Sequence, residues 1–447
     1  LKAASVDRVN SAWTTTGDAP NIAIDELPTV RARAKELYYN APFFRSAVDT
    51  VVNRVVATGA TLQALSSNDS FNTKAESAFK IWSYKADYFG QYHFADMQVE
   101  AIRQLLLSGG CFFHFIPAKS NADTSPFQIE IINYSSLATI INDSSKFIWN
   151  GVEVNPDTGK VDAYWFMKQP IIDLPVNQYK YIRLPNDENL LHFAPFREPH
   201  QLLGIPLAAA AMPYANVLRD ILNAELVNKR ISASYGLIIK KQSSSIFANN
   251  QPVDSQTGNR TINIEPGAVN YLEPDEDVKE VNPDRPGITF DPFTQIIIRG
   301  MGRAICGLSY EQISGDKSKV NFSSARHSEI ELRSNVDIMR KAIERYFLNP
   351  VYEHFIKNGI LLGSVNTWSG IKHWQRYLKH NWVWDNPAWI DPLKEANATK
   401  ILLENNLTTL AREAAKTGQD WQDILKQRLK EKSYENSKGG LNGNQGK

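Results

Sequence analysis

The sequence predicts an α+β fold in which helices frame a set of short strands and a small β-rich insertion. Three observations predict it. Apolar residues recur every three or four positions near the N-terminus, through the centre and near the C-terminus, the period of helices with one buried face. Between Cys111 and Phe196 that period gives way to short apolar and β-branched runs separated by turn signals. After Gly236 the composition changes again, to brief runs at 237–239, 262–264 and 269–272 among Asn, Gln, Ser and Pro.

In chain order, residues 1–24 are rich in Ala, Ser, Thr and Asn and read as an irregular arm. Pro28 suits the first turn of a helix that puts Val30, Ala34 and Leu37 inward and Arg31, Arg33, Lys35 and Glu36 outward until Asn40-Ala41-Pro42. The next helix carries Phe44, Ala47, Val48, Val51, Val52 and Val55 and stops at Gly59. Arg31, Arg33 and Arg45 could form a phosphate patch, but their mixing with acidic neighbours favours a solvated face. Helices at 71–88 and 97–108 follow, the second closed by Gly109-Gly110. Strands are expected at 111–117, 127–133, 137–141, 147–154, 161–168 and 190–196, with a hairpin turn at Asn155-Pro156-Asp157-Thr158-Gly159.

From Gly204 a long helix runs to about 235, with Val217, Leu218, Ile221, Leu222, Leu226 and Ile231 as its stripe and Pro213 kinking or restarting it. The β-rich insertion that follows gathers Glu273, Asp275, Glu276 and Asp277, either solvated decoration or an acidic docking surface. Asp291 and Pro292 then open a helix with Phe293, Ile296, Ile297, Met301, Ala304 and Ile305 on one face, ending at Gly307. Gly300 and Gly302 inside it each cost about 1 kcal/mol relative to Ala, which close approach by another helix would offset. Residues 308–322, centred on Gly315, Asp316, Lys317, Ser318 and Lys319, read as a polar loop. Ser323 or Ser324 would cap the next helix, whose stripe is Leu332, Val336, Met339, Ile343 and Phe347 and whose stop is Asn349-Pro350.

Trp368, Trp374, Trp382, Trp384 and Trp389 cluster beyond it, the material of a buried core or a subunit interface, or of a carbohydrate- or base-stacking surface. His373 and His380 among them read as structural. Three closing helices follow, opened by Asp391-Pro392, by Thr408 or Thr409, and by Asp420, the last with Trp421, Ile424, Leu425 and Leu429 inward. The tail 433–447 reads as disordered.

Composition narrows the function classes. The chain has 447 residues, 43% hydrophobic and 22% charged, enough for a substantial core, and its net charge of +1 argues against a protein that simply coats nucleic acid. Two cysteines, Cys111 and Cys306, make no disulfide framework and are expected as free, packed thiols. No apolar run spans a bilayer and no signal sequence is evident, while the opening on Leu1 without methionine leaves processing or missing upstream residues open. Cys111-x-x-His114 lacks a matching pair at zinc spacing, Ser77-x-x-Lys80 lacks its companion motifs, and Gly300-x-Gly302 has Ile305 where a dinucleotide fold needs Gly or Ala. No phosphate-binding loop, nucleophile elbow or His-Glu-x-x-His is present, so neither catalytic residues nor cofactors or metals are assigned.

Three collinear stretches carry a family resemblance: 25–59, with its two opening helices; Gly307-Leu308-Ser309-Tyr310-Glu311-Gln312-Ile313-Ser314 followed by Val320-Asn321-Phe322-Ser323-Ser324-Ala325-Arg326; and Trp389-Ile390-Asp391-Pro392-Leu393-Lys394-Glu395-Ala396 with 401–431. Together they resemble lambda-family phage portal proteins over roughly 25–432. The resemblance implies a portal fold with a mainly helical stem and crown, an α+β wing and a β-rich clip. By position the wing is 25–203 and 323–390, the stem 204–235 and 291–307, the clip 236–290, the tunnel loop 308–322 and the crown 391–432.

It also implies a ring, typically dodecameric, at one capsid vertex of a virion assembled in the host cytoplasm. Double-stranded DNA would pass non-specifically, touched by Lys317, Ser318, Lys319 and Asn321. The terminase large subunit and later a head–tail neck protein would dock on Glu273, Asp275, Glu276 and Asp277. Gly300 and Gly302 would pack stems between subunits, and the major capsid protein would surround the ring, with no membrane involved. The competing reading is a soluble α+β enzyme or carbohydrate-binding module using the cluster between Trp368 and Trp389.

Overall fold

The structure is a computed structural model that describes residues 24–117, 126–168, 180–233, 238–240, 270–272, 290–318, 321–361, 371–385, 392–416 and 421–439. The chain begins with α1 (Leu27–Asn40) and α2 (Pro42–Val56), separated by Ala41, whose extended backbone lets Pro42 start the second helix. Strand β1 (Thr61–Ala64) leads to α3 (Asp69–Ser83), capped by the Asn68 side chain accepting from Phe71 N–H, and α4 (Phe94–Ser108) ends on Gly109 in the left-handed region. Helix α3 is shorter than expected: the chain leaves it at Tyr84, and Tyr88 N–H donates to Ile129 O instead.

The α+β expectation holds, and three strand predictions match the structure end to end: β2 (Cys111–Pro117), β3 (Phe127–Asn133) and β6 (Val161–Lys168). Segment 147–154 divides into β4 (Ile148–Trp149) and β5 (Val152–Val154), because Asn150 and Gly151 both adopt positive φ and turn the chain. Segment 137–141 is no strand; Leu137 makes a single bridge to Phe166 and the rest turns. Strand β7 (Lys180–Pro185) was not foreseen, and β8 (Leu190–Phe193) is shorter than predicted. The strands form two antiparallel sheets, ordered β3-β2-β8 and β4-β5-β6-β7.

Helix α5 (Met212–Ala233) follows a 3-10 turn at Ala209–Ala211, so Pro213 falls in its first turn and interrupts nothing. Two strands, β9 (Ile238–Lys240) and β10 (Asn270–Leu272), pair in parallel. Then come α6 (Phe290–Cys306), the short α7 (Tyr310–Ser314), and α8 (Phe322–Ile343). Asn349-Pro350 does not end the helical run: a π turn at Glu344–Leu348 passes directly into α9 (Asn349–Leu361). A wider turn relieves the clash of the proline ring with the carbonyl four residues earlier, so the proline is absorbed. Strand β11 (His380–Val383) pairs antiparallel with β1, Thr61 opposite Val383, and α10 (Pro392–Glu404), α11 (Leu410–Lys416) and α12 (Trp421–Gly439) close the chain. Helix α12 runs past 433, and Leu429 on it is exposed, contrary to the expected inward stripe and early tail.

The main core joins α2, α4, α6, α8, α9 and the β2–β3–β8 sheet. Phe44, Ala47, Val48, Val51, Val52 and Val55 are all sealed, each larger side chain contributing about 1.5–3 kcal/mol. Leu332, Val336, Met339, Ile343 and Phe347 bury as their spacing predicts. On α6 the inward face is rotated from expectation: Ile298 is buried while Phe293 and Ile296 face out. Arg31, expected outside, is 6% exposed.

Candidate functional site

The segment from α6 through α7 to α8 is built from the inside outward. Helix α6 packs on α5, and Gly300 lies under the Tyr214 ring, where an added Cβ would sit 3.0 Å from a ring carbon. At Gly302 an added Cβ would meet Leu308 O and the Ile313 side chain, each at 2.5 Å. Both of these close approaches are made within the chain, and they offset the cost of two glycines in a helix.

After α6 the chain turns at Gly307, with φ +74, and Asn335 Nδ2 holds the exposed helix end by donating to Cys306 O at 2.9 Å. Leu308 is fully buried and its N–H reaches back to Gly302 O at 3.0 Å. This seats α7, which the polar composition of 308–322 concealed. Its Gln312 side chain accepts from Ser309 N–H at 2.9 Å, Ile313 inserts into the core, and Ser46 on α2 donates to Ile313 O at 2.8 Å.

Beyond Gly315 the described loop is held by its own polar groups. Asp316 N–H donates to Ser314 Oγ, and Ser318 N–H to Asp316 Oδ1 at 2.9 Å. Asn321 Oδ1 accepts from Ser324 N–H at 2.8 Å and is the cap of α8, in place of Ser323 or Ser324. Lys317 and Ser318 are exposed, and Lys317 forms no ion pair among the described residues. Two ion pairs brace α8: Arg54 is bidentate to Glu329 at 3.0 and 3.2 Å, and Arg303 pairs with Glu331. Lys319 and the acidic set Glu273, Asp275, Glu276 and Asp277 lie outside the described residues.

The described members of the aromatic cluster form no surface platform. Trp382 and Trp384 are buried, their indole N–H groups donating to Asn349 Oδ1 at 2.9 Å and Glu344 Oε1 at 2.7 Å. Trp374 packs half-buried on the same core, and Trp368 and Trp389 lie outside the described residues. Cys111 is sealed in β2, His114 faces Glu130 at 3.3 Å, and burial pushes the Cys111 thiol well up and the Cys306 thiol up to about 11. Neither cysteine is a nucleophile at neutral pH. Among the described residues no three His, Cys, Asp or Glu side chains gather as a metal site, and no helix is long and apolar enough to cross a membrane.

Sequence reasoning missed two buried arginines that fasten this region. Arg340 donates to Val55 O at 2.9 Å, Arg54 O at 3.2 Å and Asp385 O at 2.8 Å, so it caps α2 and ties it to the end of β11. Arg31 donates to Ser108 O at 2.9 Å and Gly204 O at 3.1 Å, joining the end of α4 to the segment entering α5. The only available signal was the mismatch between an arginine and the apolar stripe it borders.

A family model described as "Phage portal protein, lambda family" matches residues 7–340. A "Probable portal protein" of Halomonas phage phiHAP-1 is 25% identical over 450 residues, covering 96% of this chain and 85% of its own length. A "Portal protein" of Escherichia phage N15 is 25% identical over 318 residues, covering 65% of this chain and 59% of its own. Among solved structures, a chain in the "Neck of native GTA particle computed with C12 symmetry" aligns with a TM-score of 0.43 at 12% identity, covering 88% of this chain and 93% of that one.

Proposed function

Because the chain belongs to the lambda family of phage portal proteins, we propose that its copies close into a dodecameric ring at one capsid vertex and form the conduit for DNA packaging and ejection. The observation that carries the proposal beyond family membership is the loop between α7 and α8. It is polar, held by its own hydrogen bonds, carried on helices braced against α2, and presents the Lys317 ammonium outward. In a ring, Lys317 and Lys319 recur around the axis and attract phosphates weakly through salt-screened contacts that let duplex DNA slide.

In this reading 25–203 and 323–390 are wing, α5 and α6 the stem, 236–290 the clip, and α10 to α12 belong to the crown. The parallel pairing of β9 with β10 between the stem helices supports a β-containing clip. A terminase motor and then a neck protein dock there through Glu273, Asp275, Glu276 and Asp277, while the capsid shell surrounds the wing in the virion. No observation favours the carbohydrate-binding or enzyme alternative, since Trp382 and Trp384 are spent on the core.

The test is the double variant Lys317→Ala with Lys319→Ala. Rings form as in wild type, and DNA packaging or retention falls. Wild-type packaging by those rings contradicts the contact role. Reversing Glu273, Asp275 and Glu276 to Lys is expected to weaken motor or neck docking without dissolving the ring, and undiminished docking removes the acidic surface from the account.

A further inference from the structure

The sheet ordered β4-β5-β6-β7 leaves an apolar patch open beside its first turn. Phe147 is 40% exposed and Trp149 44%, their rings edge-on at 6.1 Å, and Ile140 on the adjoining turn is 61% exposed. Phe147 is held at φ +54, a left-handed conformation that bulky side chains rarely adopt. The backbone around it is fixed: Asp143 N–H and Ile148 N–H donate to each other's carbonyls at 3.0 and 2.9 Å, and Val154 N–H donates to Phe147 O at 3.0 Å. Gly151 N–H, donating to Ile141 O at 3.0 Å, ties in the turn that carries Ile140. Strained backbone therefore presents two aromatic rings outward on a rigid support.

Charges near the patch are matched, Lys146 with Asp143 at 3.6 Å and Arg183 with Glu153 at 2.8 Å, so it selects for apolar side chains and not for a sign of charge. The start of the described chain lies beside it. Ile24 packs on the core that holds Val152 and Tyr164, and Asn150 Nδ2 donates to Asp25 Oδ1 at 2.7 Å. The N-terminal arm, residues 1–23, is thereby tethered at the residue that follows Trp149. Its sequence suits the patch: Val6, Val9 and Trp13 recur at the spacing of one helical face, and Lys2 and Arg8 balance Asp7 and Asp18. Gly17 and Pro20, residues that favour turns, stand between Trp13 and the tether.

We propose that the arm of the same chain folds back onto this patch and lays Trp13 against Phe147 and Trp149. Twelve residues separate Trp13 from Asp25, a span of up to about 40 Å when extended, so the return to a surface next to the tether is well within reach. A segment held on so short a tether acts at an effective concentration on the order of millimolar, and closing the loop costs little more than closing a shorter one. Aromatic contacts too weak to keep a free partner therefore suffice for the arm, and the fixed rings lose little freedom when covered. The arm then straps the β4–β7 sheet to the start of α1, a role that makes no use of the ring.

The experiment places a photo-crosslinker in the full chain, Trp13→p-benzoylphenylalanine, irradiates the purified protein, and maps the product by denaturing gel and mass spectrometry. The expected product is a single-chain band in which position 13 is joined to the peptide containing 140–149. A band of two joined chains overturns the proposal, because the arm of another copy would then cover the patch; so does a crosslink to any other part of the chain, or none. The second measurement uses the natural Trp13 and reads tryptic cleavage after Arg8 in wild type and in Phe147→Gly with Trp149→Ala. Glycine keeps the left-handed backbone at position 147, and circular dichroism is the check on the fold. Cleavage is expected to be about tenfold faster in the double variant, since the arm is no longer held. Equal rates overturn the proposal. The ring reading stands or falls separately, on imaging.

Discussion

The Arg31 guanidinium lies 4.2 Å from the centroid of the Tyr134 ring, both buried, while the Tyr134 hydroxyl accepts from Gly204 N–H at 3.2 Å. Arginine and tyrosine thus hold opposite sides of one residue, since Arg31 also donates to Gly204 O. Residue 204 leads into α5, so the entry to α5 is fastened to α1, α4 and the β3 end through this pair.

Replacing Arg31 by Met keeps the volume and removes the charge, leaving Ser108 O and Gly204 O without their buried donor. Urea denaturation is expected to show a loss of roughly 3 kcal/mol. A change below about 0.5 kcal/mol would show that water satisfies these carbonyls and that the arginine fastens nothing.

The two helix glycines should differ. Gly302→Ala drives a methyl against Leu308 O, which belongs to backbone, and should destabilise by about 1–3 kcal/mol. Gly300→Ala meets only the Tyr214 ring, which can shift, and the helix preference for alanine, about 1 kcal/mol, works in its favour. Thermal unfolding of the two variants orders them, and a Gly300→Ala protein less stable than Gly302→Ala contradicts the packing described.

Asn321 acts as a cap whatever passes the loop. Asn321→Ala should cost about 1 kcal/mol at the start of α8 and Asn321→Asp far less. Hydrogen exchange of the amides of Ser323 and Ser324 reads this locally; equal protection in the alanine variant removes the cap.

Stability should fall on acidification below pH 6.5 through His192. It is buried beside the hydroxyls of Tyr134 and Tyr164 and stacked on Phe112 at 4.4 Å. Burial, then the charges of Arg197 and Arg31, hold its pKa well below 6.5. The folded state keeps it neutral while the unfolded chain takes up a proton below 6.5, so stability is lost as pH falls, by about 1.4 kcal/mol per unit. His354, lowered to about 4 chiefly by burial, adds in the same window. Denaturation at pH 7.5 and 5.5 should show a smaller difference in His192→Gln than in wild type; an identical difference would mean that His192 is protonated in the folded state.

Much of this fold was legible because local pattern and tertiary need agreed. The valines of α2 recur at helical spacing and bury, and β2, β3 and β6 end where their apolar runs end. The errors share a cause, which is that a one-dimensional pattern does not name the surface it packs on. Ile296, Ile297 and Ile298 are consecutive, so composition could not say that α6 turns Ile298 inward and Ile296 outward. Arg31 was read outward by its charge, although carbonyls at 108 and 204 await it. The β1–β11 pairing joins Thr61 to Val383, a separation no local signal bridges. Around the candidate loop, the cap residue and α7 were hidden by a polar composition that a loop and a short capped helix share.

The most direct measurement is averaged electron cryo-microscopy of the purified protein. The account predicts closed rings with a central hole, lined by the segment between α7 and α8 with Lys317 toward the axis. Rings or globules in which that segment points away from any central axis would contradict it.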